Sequence, residues 1–208
     1  MLKYVFILVC FWFQNASSQE IALTPSEEQI FKVKAKDVAT QTKTIVSDFV
    51  QFKHLSFLAN DIKTEGKLVF KAPEKIRWEY TKPYAYSAIF KDGKLFINDD
   101  GNKSNIDISS NKTFKDFNSL LVNSIKGNLF DDSRFAISYF KIKEGYLVKF
   151  VPKDKSVKGF ISSFEIKFTR DSLDVTEVKM MESNSDFTRI VFENKKLNTT
   201  VADAVFSN

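Results

Sequence analysis

The chain is almost without the side chains that cross-links, metal sites and nucleophilic catalysis draw on. It has one cysteine, Cys10, and one histidine, His54, in 208 residues. A single thiol closes no intrachain disulfide, and no His/Cys set is present that would hold zinc. The strand-turn-helix signature G-x-S-x-G is missing as well. Carboxylates are frequent but scattered, with no spacing that pairs two for acid-base work. Asp99-Asp100-Gly101-Asn102 resembles the start of a calcium loop but lacks the later ligand carboxylates, so it reads as a turn. His54 falls in a strand-like run and reads as a structural or exposed residue. There is no basic cluster and no nucleic-acid motif. These absences argue against an enzyme and a nucleic-acid binder, and no cofactor is expected.

Long apolar runs are also scarce: one occurs, at the very start. Lys3 precedes the apolar stretch Tyr4 to Phe13, and Asn15-Ala16-Ser17-Ser18 ends it in small residues. That order of charge, apolar core and small residues is a secretory signal peptide, too short for a permanent membrane span. Residues 1–18 are therefore read as the leader and 19–208 as one domain. Cys10 lies inside the leader and is not preceded by the small residues of a lipid-attachment site. An exported chain without cysteine stands on its hydrophobic core alone. No second long run follows, so the processed chain is expected to be soluble. Removal of Lys3 takes the formal net charge from +5 to +4. The excess is spread over strand positions such as Lys67, Lys71, Lys75 and Lys167, read as a solvated face.

What the sequence does have is period-two alternation and phenylalanine. The stretch Gly66–Pro83 carries two alternating runs around Ala72-Pro73-Glu74, with Leu68 and Phe70 on one face of the first. Ile76, Trp78 and Tyr80 share a face of the second, with Lys75, Arg77 and Glu79 opposite. Alternation of this kind marks strands with one apolar face, and Pro73 belongs at the corner between them because it cannot donate to a ladder. Upstream, Thr24-Pro25-Ser26-Glu27 is a helix start with a capping box. Ile30, Val33, Val38, Gln41 and Ile45 follow at roughly helical spacing. Val46 to Leu55 reads as a strand. Lys91-Asp92-Gly93-Lys94 centres a hairpin on Asp-Gly. After the polar segment 105–112, a second helix is expected at about 113–126, with Phe114, Phe117, Leu121 and Ile125 on one stripe and Gly127 as its stop. Strands return at 135–142, 146–151, 160–169, 175–181 and 187–193, and Val205-Phe206 reads as a short final strand. The expected fold is mainly β with α: an antiparallel barrel-like sheet of about ten to eleven strands with two helices. Phenylalanine makes up 22 of the 208 residues, more than a single sheet and two helices need for a filled core. A curled sheet would turn that surplus into an apolar hollow suited to acyl chains.

Taken in order, Phe49-Val50-Gln51, Gly66-Lys67-Leu68 leading to Pro73 and Trp78, Asp92-Gly93-Lys94, and Phe192 to Asn194 resemble the periplasmic outer-membrane lipoprotein carrier (LolA-like) family. The resemblance implies an unclosed antiparallel barrel whose concave hydrophobic face is covered by helices. It implies a periplasmic shuttle that takes acylated lipoproteins from an inner-membrane exporter toward the outer membrane, where an acceptor could take them over. A monomer is expected. Candidate lipid contacts on the sheet are Phe49, Leu68, Phe70, Ile76, Trp78 and Tyr80, then Tyr86 and Phe90, and further on Phe164, Ile166 and Phe168. On the second helix they are Phe117, Leu120, Leu121 and Ile125. One departure stands out: Ala72 occupies the place where well-studied members carry an arginine that ties the barrel to its helical lid. Ile76 stands where they have phenylalanine. A carrier of another lipid or glycolipid, and a structural β domain with a filled core, are the alternative readings.

The leader yields a direct check. Cleavage after Ser18 predicts Gln19 as the first residue of the exported form in N-terminal sequencing; an intact 1–18 would contradict the exported reading.

Overall fold

The computed structural model describes residues 20–107 and 130–207, apart from residue 183. The leader and the expected second helix, including Phe114, Phe117, Leu120, Leu121 and Ile125, lie outside the described residues.

The first helix, α1 (Pro25–Gln41), starts where its capping box predicts. The Thr24 N–H donates to Glu27 Oε2 at 2.9 Å, and the Glu27 N–H reaches Thr24 Oγ1 at 3.4 Å. Lys141 and these Thr24 contacts lower the Glu27 pKa to about 2. The buried stripe of α1 is not the expected one. Phe31 and Ala35 face inward, while Ile30 and Val33 are about half exposed, at 52% and 50%. The aromatic residue sets the helix rotation: the Phe31 ring meets Phe168 at 5.3 Å, Tyr146 at 5.2 Å and Tyr139 at 5.8 Å. A ring of that size buries more surface than Ile30 and orients the helix accordingly.

Among the described residues twelve strands form a single sheet. They are β1 (Ile21–Ala22), β2 (Thr44–His54), β3 (Ile62–Lys71), β4 (Lys75–Lys82), β5 (Tyr86–Lys91) and β6 (Lys94–Asp99), then β7 (Asn102–Asp107), β8 (Phe135–Ile142), β9 (Gly145–Pro152), β10 (Ile161–Thr169), β11 (Val175–Glu182) and β12 (Phe187–Leu197). A one-turn helix, α2 (Lys155–Lys158), joins β9 to β10. The order across the sheet is β1-β8-β9-β10-β11-β12-β2-β3-β4-β5-β6-β7, with every pair antiparallel. β1 and β7 are the two edges and do not pair, so the barrel is unclosed as expected.

The strand list departs from expectation in three places. β1 and β7 are additional, because one is two residues long and the other, Asn-Lys-Ser-Asn-Ile-Asp, is polar. An edge strand of this kind needs only one inward residue, Ile106, to join the core. The expected final strand at Val205-Phe206 is instead a 3-10 turn, Asp203–Phe206. Phe206 is buried to 1% exposure on the outer face of the sheet, packed with Ile89 and Val201. The tail is held by side chains rather than by a ladder. Lys71 donates to the Val201 carbonyl at 2.9 Å and to Asp203 at 2.8 Å, Lys75 reaches Asp203 at 3.2 Å, and Arg77 reaches the Val205 carbonyl at 3.2 Å. Lys71 and Lys75 are thus tethers for the tail rather than freely solvated charges.

At the Asp92-Gly93 turn both residues take positive φ, 52° and 69°, as a two-residue hairpin requires. Gly66 has a different reason. It sits opposite Phe49 in the β2–β3 register, and a Cβ there would lie 2.1 Å from the Glu79 carbonyl and 2.4 Å from the Phe49 ring. Gly66→Ala should therefore cost about 3 kcal/mol or more, at the upper end of overpacking penalties. Urea denaturation checks this; an unchanged midpoint would mean that Phe49 moves aside freely.

Candidate functional site

In an antiparallel ladder, directly opposed residues point to the same side of the sheet. Following the register from β10, Phe164, Ile166 and Phe168 oppose Phe150, Val148 and Tyr146 on β9. On the other side Ile166 opposes Val178, which opposes Ile190, and Phe192 of the same strand opposes Phe49. Leu68 and Phe70 lie on that face of β3 and oppose Trp78 and Ile76, and Gly66 opposes Tyr80. Ile76, Trp78 and Tyr80 in turn oppose Phe90, Ala88 and Tyr86. Every described candidate residue therefore lies on one face, the concave one that also carries α1.

Packing divides this face in two. Toward β8–β11, Phe31 and Ala35 of α1 cover Tyr139, Val148, Phe150, Ile166 and Phe168. Phe150 and Phe164 stack there at 4.7 Å. Toward β2–β7, a second cluster holds Phe49, Leu68, Phe70, Ile76, Phe90 and Leu95. The candidate residues thus fall into two clusters, and Ile166 and Phe168 belong to the one beneath α1. Burial separates the candidates again. Phe49, Phe70 and Ile76 are 1–2% exposed, whereas Trp78, Tyr80, Tyr86 and Phe164 are half-buried. Ala88, Ile97, Ile190 and Phe192 are half-buried too and extend the band next to Trp78. Aromatic contacts hold it: Trp78 lies 4.3 Å from Phe49 and 6.3 Å from Phe192, and Tyr80 lies 6.1 Å from Tyr86. Sequence reasoning put no weight on Ile190 or Phe192 as wall residues, because their neighbours Trp78 and Phe49 come from strands more than a hundred residues away.

Polar groups interrupt the band at two points. The Tyr80 hydroxyl donates to Gln51 Oε1 at 3.0 Å, and burial pushes its pKa above the usual tyrosine value. Lys195 is the second. The β2–β12 register shifts between Glu193 and Lys196, where Asn194 takes φ 51°, and this bulge turns Lys195 onto the concave face. Its Nζ donates to the Val175 carbonyl and lies 5.6 Å from the Phe192 ring. Burial holds the Lys195 pKa below the ordinary lysine value, with Asp174 opposing that shift. Nothing in the spacing of Asn194-Lys195-Lys196 marks this residue, since a bulge shifts the alternation.

Ala72 packs at the margin of the second cluster, beside the end of α1. A hollow of about 240 Å3 there is lined by Ala39, Thr42, Phe70 and Ala72, among others. His54 is partly exposed and held by its neighbours: its Nδ1 lies 2.8 Å from Asp61 Oδ1, and its ring stacks on Phe187 at 4.7 Å. Among the described residues no cluster of His, Cys, Asp or Glu would hold a metal, and no helix is long and apolar enough to cross a membrane.

A family model described as outer membrane lipoprotein carrier protein LolA matches residues 40–208. The chain belongs to the LolA family. Two relatives named outer-membrane lipoprotein carrier protein are similar to this chain at low identity. The one from Methylococcus capsulatus is 24% identical, covering 82% of this chain and 79% of its own. That from Chromobacterium violaceum is 29% identical, covering 83% and 80%. Among solved structures, an uncharacterized conserved protein from Thermus thermophilus superposes with a TM-score of 0.53 at 9% identity, over 88% of this chain and 93% of that one. At that identity the likeness speaks for the fold alone. The LolA match covers every described candidate residue on the sheet, from Phe49 to Phe168.

The Lys195 environment has a pH signature. A lysine whose folded pKa lies below its unfolded one penalises folding while it is charged. The penalty is full below the folded pKa and is relieved as pH rises toward the unfolded value. Lys195→Met should remove the penalty, so its gain in thermal midpoint over the native chain should be largest near neutral pH and shrink as pH rises toward 10.5, the ordinary lysine value. A difference that does not change with pH would show that Lys195 is not desolvated.

Proposed function

We propose that this chain is a periplasmic lipoprotein carrier. Residues 1–18 act as its export signal and 19–208 as the carrier domain, which holds acyl chains reversibly against the half-buried band of the concave face. The observation that supports this reading best is the band itself. Trp78, Ala88, Ile97, Ile190 and Phe192 form a continuous apolar strip with exposed surface, next to a cluster that is already filled. A purely structural β domain would close such a strip. Each methylene laid on it contributes about 0.8 kcal/mol, so a chain with about ten buried methylenes is held without any charged contact. Membership of the LolA family and the printed names of the two relatives point to acylated lipoproteins as cargo. The carrier would work as a monomer, receiving cargo from an inner-membrane exporter and releasing it at the outer membrane.

No energy source is needed at the carrier itself. Cargo leaves one apolar surface for another, so loading and release are equilibria set by differences in burial. Ala72 bears on how tightly the carrier closes. Where the family's studied members have an arginine, this chain has a methyl group beside a hollow, which leaves closure to apolar contact.

Trp78 is the only tryptophan among the described residues, so its emission reports on the band. Titration with a fluorescent fatty-acid analogue should shift that emission and saturate. Trp78→Glu should abolish probe binding while the far-UV circular dichroism stays native. A native-like variant that still binds the probe would move the cargo site elsewhere, and no binding by the unmutated chain would favour the structural alternative.

A further inference from the structure

The Tyr80–Gln51 contact continues into a third polar residue on the same wall. Thr64 opposes Gln51 directly in the β2–β3 register and shares the concave face with Leu68 and Phe70. It is 3% exposed, and its Oγ1 has no hydrogen-bond partner among the described residues. An isolated buried hydroxyl costs stability, so a valine of the same shape would serve the apo fold better. Gln51, half-buried beside it, is held in place: its Oε1 accepts from the Tyr80 hydroxyl at 3.0 Å. A buried, unpartnered hydroxyl thus sits opposite a fixed amide side chain at the edge of the apolar band. The other orphaned hydroxyl, that of Tyr139, lies beneath α1 in the closed cluster, away from this band.

We infer that the Thr64 hydroxyl, opposite the Gln51 side chain that Tyr80 holds, is the donor of a subsite for the carbonyl group that links an acyl chain to its head. The ligand class is an acyl ester or amide rather than a bare hydrocarbon or an ether lipid. The chemistry follows from the donor. A carbonyl oxygen accepts strongly from N–H and O–H groups, an ether oxygen accepts weakly, and a methylene does not accept at all. With the carbonyl fixed at the polar residues, the alkyl tail runs along Trp78 and Phe192. This inference rests on the lipid-carrier reading and adds to it a register for the bound chain and a selectivity that an apolar wall alone lacks.

The test compares dioctanoyl phosphatidylglycerol with its dioctyl ether analogue by isothermal titration to the full mature chain. The native protein should bind the ester about fivefold more tightly, the factor for one ordinary hydrogen bond. Thr64→Val should abolish that preference by weakening the ester alone, with the ether affinity unchanged. Thr64→Ser keeps the hydroxyl and should keep the preference, which guards against a merely structural effect. Equal binding of ester and ether by the native chain would overturn the subsite and leave the carrier reading intact. So would a preference that survives in Thr64→Val. Failure to bind either lipid would overturn the carrier reading, and the subsite with it.

Discussion

The structure depends on one constraint, the close approach of Phe49 to the bare backbone of Gly66. An antiparallel ladder has a side-chain period of two, so fixing one opposed pair fixes the facing of every residue on both strands. Phe49 lies over Gly66 where no side chain fits, and the same ring reaches Trp78 at 4.3 Å. A slip of one residue would drive Lys67 under that ring and turn Leu68 and Phe70 to the outer face. With the pair in place, the register runs unbroken to Phe90 in one direction and to Phe164 in the other. The concave face keeps its apolar residues aligned from strand to strand, interrupted only locally by groups such as Gln51, Thr64 and Lys195, because each strand inherits its orientation from its neighbour.

The outer face obeys the same alternation with different chemistry. Lys167 and Arg189 both pair with Glu177, at 3.0 Å and 3.2 Å, across three adjacent strands. Partly exposed pairs of this kind add little stability each, but they keep the outer face wetted and the sheet from pairing the wrong way round. The tail then crosses this surface and covers the apolar patch around Ile89 with Phe206. The two faces therefore have separate duties. The tail covers part of the outer one, and the inner one keeps a half-buried band.

Much of this was legible in the sequence. The capping box at Thr24, the Asp92-Gly93 turn and the alternation of Leu68, Phe70, Ile76 and Trp78 each depend on neighbours within a few residues, and each stands where the pattern put it. What was not legible depends on distant partners. The α1 stripe differs from its pattern because Ile30 and Phe31 are equally apolar, and only the pocket formed by Tyr139, Tyr146 and Phe168 selects the ring. The polar β7 and the folded tail form because a neighbour supplies what they lack. Alternation shows which side a candidate residue takes, while the position of α1 decides that Ile166 and Phe168 lie in a filled cluster. Lys195 escaped notice because a bulge reverses the alternation there. Gln51 lies in the run Phe49-Val50-Gln51, and only the fold brings Thr64 and Tyr80 beside it.

The central claim is that the half-buried band around Trp78 carries acyl cargo in the cell. Native mass spectrometry of the protein isolated from its own envelope without detergent addresses it most directly. The account predicts a population heavier than the mature chain by the mass of an acylated lipoprotein or lipid, in one-to-one ratio, which falls away in Trp78→Glu. A single species at the mass of the bare chain in both proteins, with no acylated molecule released on denaturation, would contradict it.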